Sequence, residues 1–201
     1  MDDVAEGTLF FNADGSYSFD PGPDFQDLGP TDSREVTFTY TATDNDGGVS
    51  APETVTITVT GTNDLPVARE GAISTDEDTL VSGTVPEATD IDGTIVPDGY
   101  ALVDDVVEGT LTFNADGSYS FDPGADFQDL GPTDTREVTF TYTSKDNDGG
   151  VSEPATITIV VTGNNDIPVA QPATDVTDED TAILDGVVPE ATDVDSNIDP
   201  T

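Results

Sequence analysis

The sequence predicts an all-β fold: antiparallel β-sandwich repeats of about seven strands each, arranged end to end. Three features predict it: a long internal repeat, apolar side chains at every second position, and turn residues at short intervals. Residues 1–66 align with 103–168 at an offset of 102 without a gap, and 53 of the 66 positions are identical. TDEDT at 75–79 recurs at 177–181, and VPEATD at 85–90 recurs at 188–193 after a one-residue insertion. A period near 100 is too long for solenoid or propeller units and suits a string of small domains. The expected division is the later part of one repeat at 1–66, a complete repeat at 67–168, and the opening part of a third at 169–201.

Within the complete repeat the alternation marks strands one after another. Leu111 with Phe113, Tyr119 with Phe121, Val138 with Phe140 and Tyr142, and Ile157 with Ile159 and Val161 each occupy every second position, with Thr and Ser between them. That is the period of a half-buried strand, and Thr is well suited to its exposed face. Asn-Ala-Asp-Gly at 114–117 separates two such runs and reads as a tight hairpin. Turn signals every 8 to 14 residues divide 67–168 into about seven strands, the count of an immunoglobulin-like sandwich. No window shows a helical period.

Composition removes several function classes. The 201 residues carry no Cys and no His, so thiol and imidazole chemistry and the usual zinc and copper sites are absent. Forty-three acidic residues against four basic ones give a formal net charge of -39 at pH 7, which repels nucleic acid and anionic membrane alike. No apolar run is long enough to insert in a membrane. Paired carboxylates alone do not make a glycosidase, and no phosphate-binding loop or serine elbow accompanies them, so an enzyme is not expected. The excess charge calls for cations, and hard divalent ions that prefer oxygen ligands suit it best.

Strand parity tells where the carboxylates go. A first strand running from Asp64 reaches the far end of the sandwich by Glu77, since each residue advances roughly 3.3 Å. Continuing strand by strand places Asp90, Asp92, Asp116 and Asp146 to Gly150 at one end, and Asp76 to Asp78, Asp104, Asp105, Asp126, Asp129, Asp134, Asn165 and Asp166 at the other. In end-to-end repeats these clusters meet across each linker, and they repel unless ions lie between them.

The linkers ITVTGTNDLP (57–66) and VVTGNNDIP (160–168) resemble those of cadherins, in which a last strand runs into Asn, Asp and Pro. EATDIDG (87–93) resembles the cadherin loop with two calcium-binding aspartates, TDED (75–78) falls where cadherins carry a calcium-binding glutamate, and TDSRE (31–35) and TDTRE (133–137) resemble the acidic motif of the opposite loop. The repeats as a whole are similar to the VCBS and cadherin-like repeats of large RTX-type bacterial adhesins. That resemblance implies secretion to the extracellular cell surface, Ca²⁺ as cofactor, and extender domains supporting adhesion or biofilm formation. For the first junction it implies Asp32, Glu35, Asn63, Asp64, Asp90, Asp92 and Asp146 as ligands, and for the second Glu77, Asp134, Glu137, Asn165, Asp166, Asp193 and Asp195. Leu65 and Ile167 stand where the cadherin linker has a second asparagine, and DNDGG at 146–150 lacks the closing glutamate of an EF-hand.

The expected partners are neighbouring repeats. A second reading makes each repeat a module for a carbohydrate, ice or surface ligand, presented on Thr-rich strands such as Thr37, Thr39 and Thr41. Incomplete repeats at both ends are expected either to be loosely ordered or to complement each other between chains by strand addition, the 169–201 segment supplying the first two strands of a repeat.

Overall fold

The alternating apolar residues form eleven strands, and a computed structural model describes residues 4–195. Contacts divide the chain into two compact units: 1–68 with 87–99 and 144–153, and 69–86 with 100–143 and 154–201. The outermost residues of the expected first and third repeats, 1–3 and 196–201, lie outside the described residues.

In the first unit, β1 (Thr8–Phe11) pairs antiparallel with β2 (Tyr17–Asp20), and β3 (Ser33–Tyr40) with β4 (Glu53–Thr60). Asp14 closes the β1–β2 turn by accepting from the Ser16 amide and hydroxyl. Phe25, Leu28 and Val36 form the core, with Val4, Phe19, Ile57 and Val59 half-buried against it. Phe38 takes Phe11 and Tyr17 edge-on at 5.9 and 5.2 Å between ring centroids. Arg34 lies 5.5 Å over the Phe25 ring and bonds Glu6 and the Asp24 carbonyl, so one cation ties the loop after β2 to β3.

The second unit holds seven strands. β5 (Gly71–Asp76), β11 (Ala155–Thr162), β10 (Thr135–Thr143) and β7 (Ala101–Asp104) form one sheet in that order; β6 (Val81–Thr84), β9 (Ser118–Asp122) and β8 (Thr110–Phe113) form another. Their inner faces meet through Phe140, whose ring lies 5.8 Å from Phe113 and 5.0 Å from Tyr119, and through Phe121 against Phe127 at 6.0 Å. Val138, Phe140, Tyr142, Ile157, Ile159 and Val161, the residues singled out by alternation, are all buried. Arg136 repeats the role of Arg34, 5.4 Å over Phe127 and bidentate to Asp129.

Two expectations need correction. The sandwich is not antiparallel throughout, because β5 runs parallel to β11. Asp104 does not reach the far end: β7 has four residues and meets a register shift between Thr141 and Tyr142, so Asp104 pairs with Thr141 near the Thr143 end of β10. Among the described residues the segment from 169 holds the isolated Val169–Thr192 bridge and no strand. A lone segment has no ladder to satisfy its backbone groups, so the partner rather than local sequence decides whether a strand exists.

Tyr142 shows what a completed sandwich adds. It is fully buried, and its hydroxyl donates to the Arg69 carbonyl at 2.6 Å and accepts from the Arg69 amide at 3.3 Å. Its counterpart in the first unit, Tyr40, is 37% exposed. Tyr142→Phe is expected to destabilise its unit by about 0.5–1.5 kcal/mol, the net worth of its hydroxyl's hydrogen bonding to the Arg69 backbone, and Tyr40→Phe to be nearly neutral. Urea unfolding of the two variants checks the contrast.

Candidate metal centres at the two linkers

Each linker begins with a glycine that no other residue can replace without strain. A Cβ on Gly61 would collide with the Leu28 and Gly29 carbonyls, and one on Gly163 with those of Leu130 and Gly131. The close approach lets the Gly61 amide reach the Asp32 carbonyl at 3.0 Å and the Gly163 amide that of Asp134 at 3.0 Å. In the first unit the chain then presents Asn63 and Asp64. Asn63 Nδ2 donates to the Asp64 carbonyl at 2.7 Å and to Asp146 Oδ2 at 3.0 Å, and the Asp64 amide donates to Asp92 Oδ2 at 3.1 Å. Asp90 Oδ1 accepts from the Asp92 and Gly93 amides, and Asp146 Oδ1 from those of Asp148 and Gly150. A bridge between Val67 and Thr89 fixes the linker against the 90–92 loop.

Five of the seven residues expected at the first junction are thereby gathered by direct bonds or one shared loop. Asp32 stands beside them, since a Cβ on Gly29 would lie 3.7 Å from its Oδ2 and 3.4 Å from the Asp92 carbonyl. Glu35 does not join; it is exposed on β3 opposite Thr58.

The second unit repeats the arrangement from another angle. Glu77 is 2% exposed, and its Oε1 accepts from the Asn164 amide at 2.7 Å. The Asp166 amide donates to Asp195 Oδ2 at 3.1 Å, the Asp195 amide to Asp193 Oδ1 at 3.3 Å, and Asn165 Nδ2 to the Asp166 carbonyl at 2.6 Å. Asp134 is exposed, its Oδ2 3.3 Å from the Gly131 amide, and Glu137 is exposed on β10 opposite Val160, apart from the set. Asp78, which the motif comparison passed over, belongs here: Gln128 and Asn164 donate to its carboxylate at 3.3 and 3.4 Å. The TDED run carried that signal, but strand parity alone does not say which carboxylate of a run turns inward.

The electrostatics of both sets are unfavourable as they stand. Asn63 Oδ1, Asp90 Oδ2 and Asp92 Oδ1 in one unit, and Glu77 Oε2, Asp166 Oδ2 and Asp195 Oδ1 in the other, are buried oxygens without a hydrogen-bond donor. Burial pushes the Glu77 carboxyl up, and the charges of Asp78, Asp166 and Asp195 push it further. Burial and Asp92 likewise raise Asp90, and hydrogen bonding to Asp193, with burial, raises Asp195. Burial also acts to raise Asp146, but Asn63 and the amides of Gly150, Gly149 and Asp148 outweigh it and hold its carboxyl below the usual range. Among the described residues no group of three or more His, Cys, Asp or Glu side chains is arranged to hold a metal ion unaided. The donor oxygens are instead a mixture of carboxylate, asparagine amide and backbone carbonyl, the mixture hard cations accept.

A family model for the bacterial cadherin-like domain matches residues 2–61 and 63–163. The chain belongs to that family. Among solved structures, this cadherin-like chain is similar to protocadherin gamma B2 extracellular cadherin domains 1–5, at 18% identity and a TM-score of 0.48 over 98% of this chain and 39% of the other. It is also similar to protocadherin gamma B7 domains 1–4, at 18% identity and a TM-score of 0.49 over 96% and 50%, and to Drosophila N-cadherin EC1-4, at 16% and 0.46 over 85% and 44%. The chain thus spans half or less of the length of these structures. A search of curated protein sequences gives no match. Cadherin-like domains are typically extracellular, non-enzymatic modules of adhesion and structure, arranged in tandem and forming homotypic contacts. No helix among the described residues is long and apolar enough to cross a membrane.

Two outcomes follow for the cadherin-like chain. Carboxyls raised in the folded state bind protons more tightly there than in the unfolded chain, so their contribution to stability is full below the ordinary carboxylate range and is lost as pH rises through their folded values. In a chelator, Tm is therefore expected to rise on going from pH 7 to about pH 5, as thermal melts monitored by circular dichroism will show. Gly163→Ala is expected to cost on the order of 1–3 kcal/mol through overpacking against two carbonyls, read by urea unfolding.

Proposed function

We propose that this chain is a set of extender repeats from a secreted bacterial surface protein, with Ca²⁺ fixing the linkers so that the repeats carry an adhesive region away from the cell. The observation that carries the reading is the pair of oxygen-lined sets, each with three buried oxygens that lack donors. Buried carboxylates without partners are costly, and a bound divalent cation relieves both their desolvation and their mutual repulsion. Asn63, Asp64, Asp90, Asp92 and Asp146, with Asp32 beside them, fit one such ion set; Glu77, Asp166, Asp193 and Asp195, with Asp134 and Asn165 beside them, fit the other. Calcium would supply charge neutralisation and six to eight oxygen bonds. The chain's part is to hold the linker: the glycines bring it against the loop carbonyls, and the amides of Asp64 and Asp166 orient Asp92 and Asp195.

In this reading residues 67–168 are one complete repeat, flanked by parts of two others, and the VCBS-type repeats of RTX-type adhesins in biofilms are the functional setting. The ligand-module alternative has one supporting observation: on the exposed face of the first unit Thr37 lies opposite Thr56, and Thr39 opposite Thr54, a regular hydroxyl array. Specific hits on a glycan array, or ice-recrystallisation inhibition, would favour it over a spacer.

The spacer reading expects Ca²⁺ to raise Tm by ligand linkage and to lengthen and narrow the small-angle scattering distance distribution. Asp90→Asn with Asp92→Asn should remove most of the effect at the first linker. Melting and dimensions that stay the same in millimolar Ca²⁺ would reject the reading.

A further inference from the structure

Tension along a tandem chain passes through whatever joins the strand by which the chain enters a repeat to the strand by which it leaves. In the second unit these are β5 and β11, and they are direct neighbours in one sheet. They run parallel, in register from the Gly71–Ile157 pair to the Asp76–Thr162 pair. A pull through the linkers therefore takes hold of β5 at Gly71 and of β11 at Thr162, which are opposite ends of the same ladder. Parallel strands pulled in this way slide past each other, so every rung carries load at once. An antiparallel pair would have both points of attachment at one end and would open rung by rung.

The ladder is closed and sealed where the load falls. The Glu77 amide donates to the Thr162 carbonyl at 3.0 Å, and because backbone groups alternate along a strand, the amides of Thr75 and Ile73 also face β11 while those of Ser74 and Ala72 face away. At the linker end the Thr162 hydroxyl donates to the Thr75 carbonyl at 3.2 Å, and the Asn164 amide to Glu77 Oε1 at 2.7 Å. The inner face of β11 is closed to water, with Ile157, Ile159 and Val161 each 1% exposed or less. β5 lies so close over it that a Cβ on Gly71 would come within 2.9 Å of Ile157 Cδ1. Hydrogen bonds shielded from water hold more strongly than wet ones.

We propose that this repeat is a load-bearing module whose mechanical clamp is the β5–β11 ladder, so that tension along the chain is resisted by shear of that ladder. The proposal rests on the reading of these repeats as extenders and assigns them a second task, to hold under pull as well as to reach. The load path is short. β6 to β10 lie between β5 and β11 in sequence, so they are off the path until the ladder yields.

Single-molecule force spectroscopy on the full chain tests the proposal, in a chelator so that calcium plays no part in the result. The sequence holds no cysteine, so handles are attached by substitution. Glu70→Cys with Ile167→Cys, both at exposed positions, loads the ladder in shear; Glu70→Cys with Glu153→Cys, two residues before β11, pulls from one end and peels it. At equal pulling speed the shear geometry is expected to need several times the force of the peeling one, and its rupture to release about 300 Å of chain. Thr75→Pro removes an amide from the ladder and is expected to lower the shear force severalfold, whereas Ser74→Pro, whose amide faces away, is expected to keep most of it. The comparison of the two geometries needs no change within the ladder and decides by itself if a proline variant fails to fold. Equal forces in the two geometries overturn the proposal, and so does a folded Thr75→Pro chain that holds as the Ser74→Pro chain does. A chain that yields alike in both geometries can still bind calcium at its linkers, and one that binds none can still resist shear, so the two readings fail separately.

Discussion

Repulsion among carboxylates drawn together at the linkers is the constraint on which the rest of this molecule depends. The fold brings them there by backbone means: a glycine that lets the linker touch loop carbonyls, and amides that hold Asp90, Asp92, Asp146, Glu77 and Asp195 at fixed angles. Those donors satisfy one oxygen each of Asp90, Asp92, Glu77 and Asp195 and leave the other buried with none. A fold stabilised for its own sake would not place a 2%-exposed glutamate within reach of three aspartate charges.

The sandwich tolerates this because its own stability comes from elsewhere. Phe140 at the meeting of the two sheets, Phe121 on Phe127, and the Arg136 guanidinium over Phe127 form a core remote in kind from the acidic ends. The few cations of the chain are used sparingly: Arg34 and Arg136 each pin the loop that follows the hairpin, and neither neutralises a linker set. The apolar interior that folds the chain and the acidic linker sets are thus separate parts of it.

Much of this was legible in the sequence, for identifiable reasons. Alternation located β10 and β11 residue by residue, because a strand buried on one face must repeat every second position, and the Asn-Ala-Asp-Gly turns marked the β1–β2 and β8–β9 hairpins. The linker residues Asn63, Asp64, Asp90, Asp92 and Asp146 were found by motif and came together. Parallel pairing of β5 was not legible, since alternation does not encode strand direction. Asp104 was misplaced because a register shift in β10 has no signature in composition, and Glu35 and Glu137 were carried into the sets by motif although strand parity turns them to solvent. The strands expected after residue 169 depend on a partner ladder that local sequence does not contain.

The central claim, that the linker sets are built around calcium, is tested most directly by isothermal titration of the chelator-stripped chain with Ca²⁺, alongside a variant carrying Asp90→Asn, Asp92→Asn and Glu77→Gln. The account predicts saturable binding by the wild type, selective over Mg²⁺, and loss of most of it in the variant, whose substitutions reach both sets. Binding that is weak, unsaturated and equal for the two ions, or unchanged in the variant, would mean that calcium merely screens an acidic surface and would contradict the account.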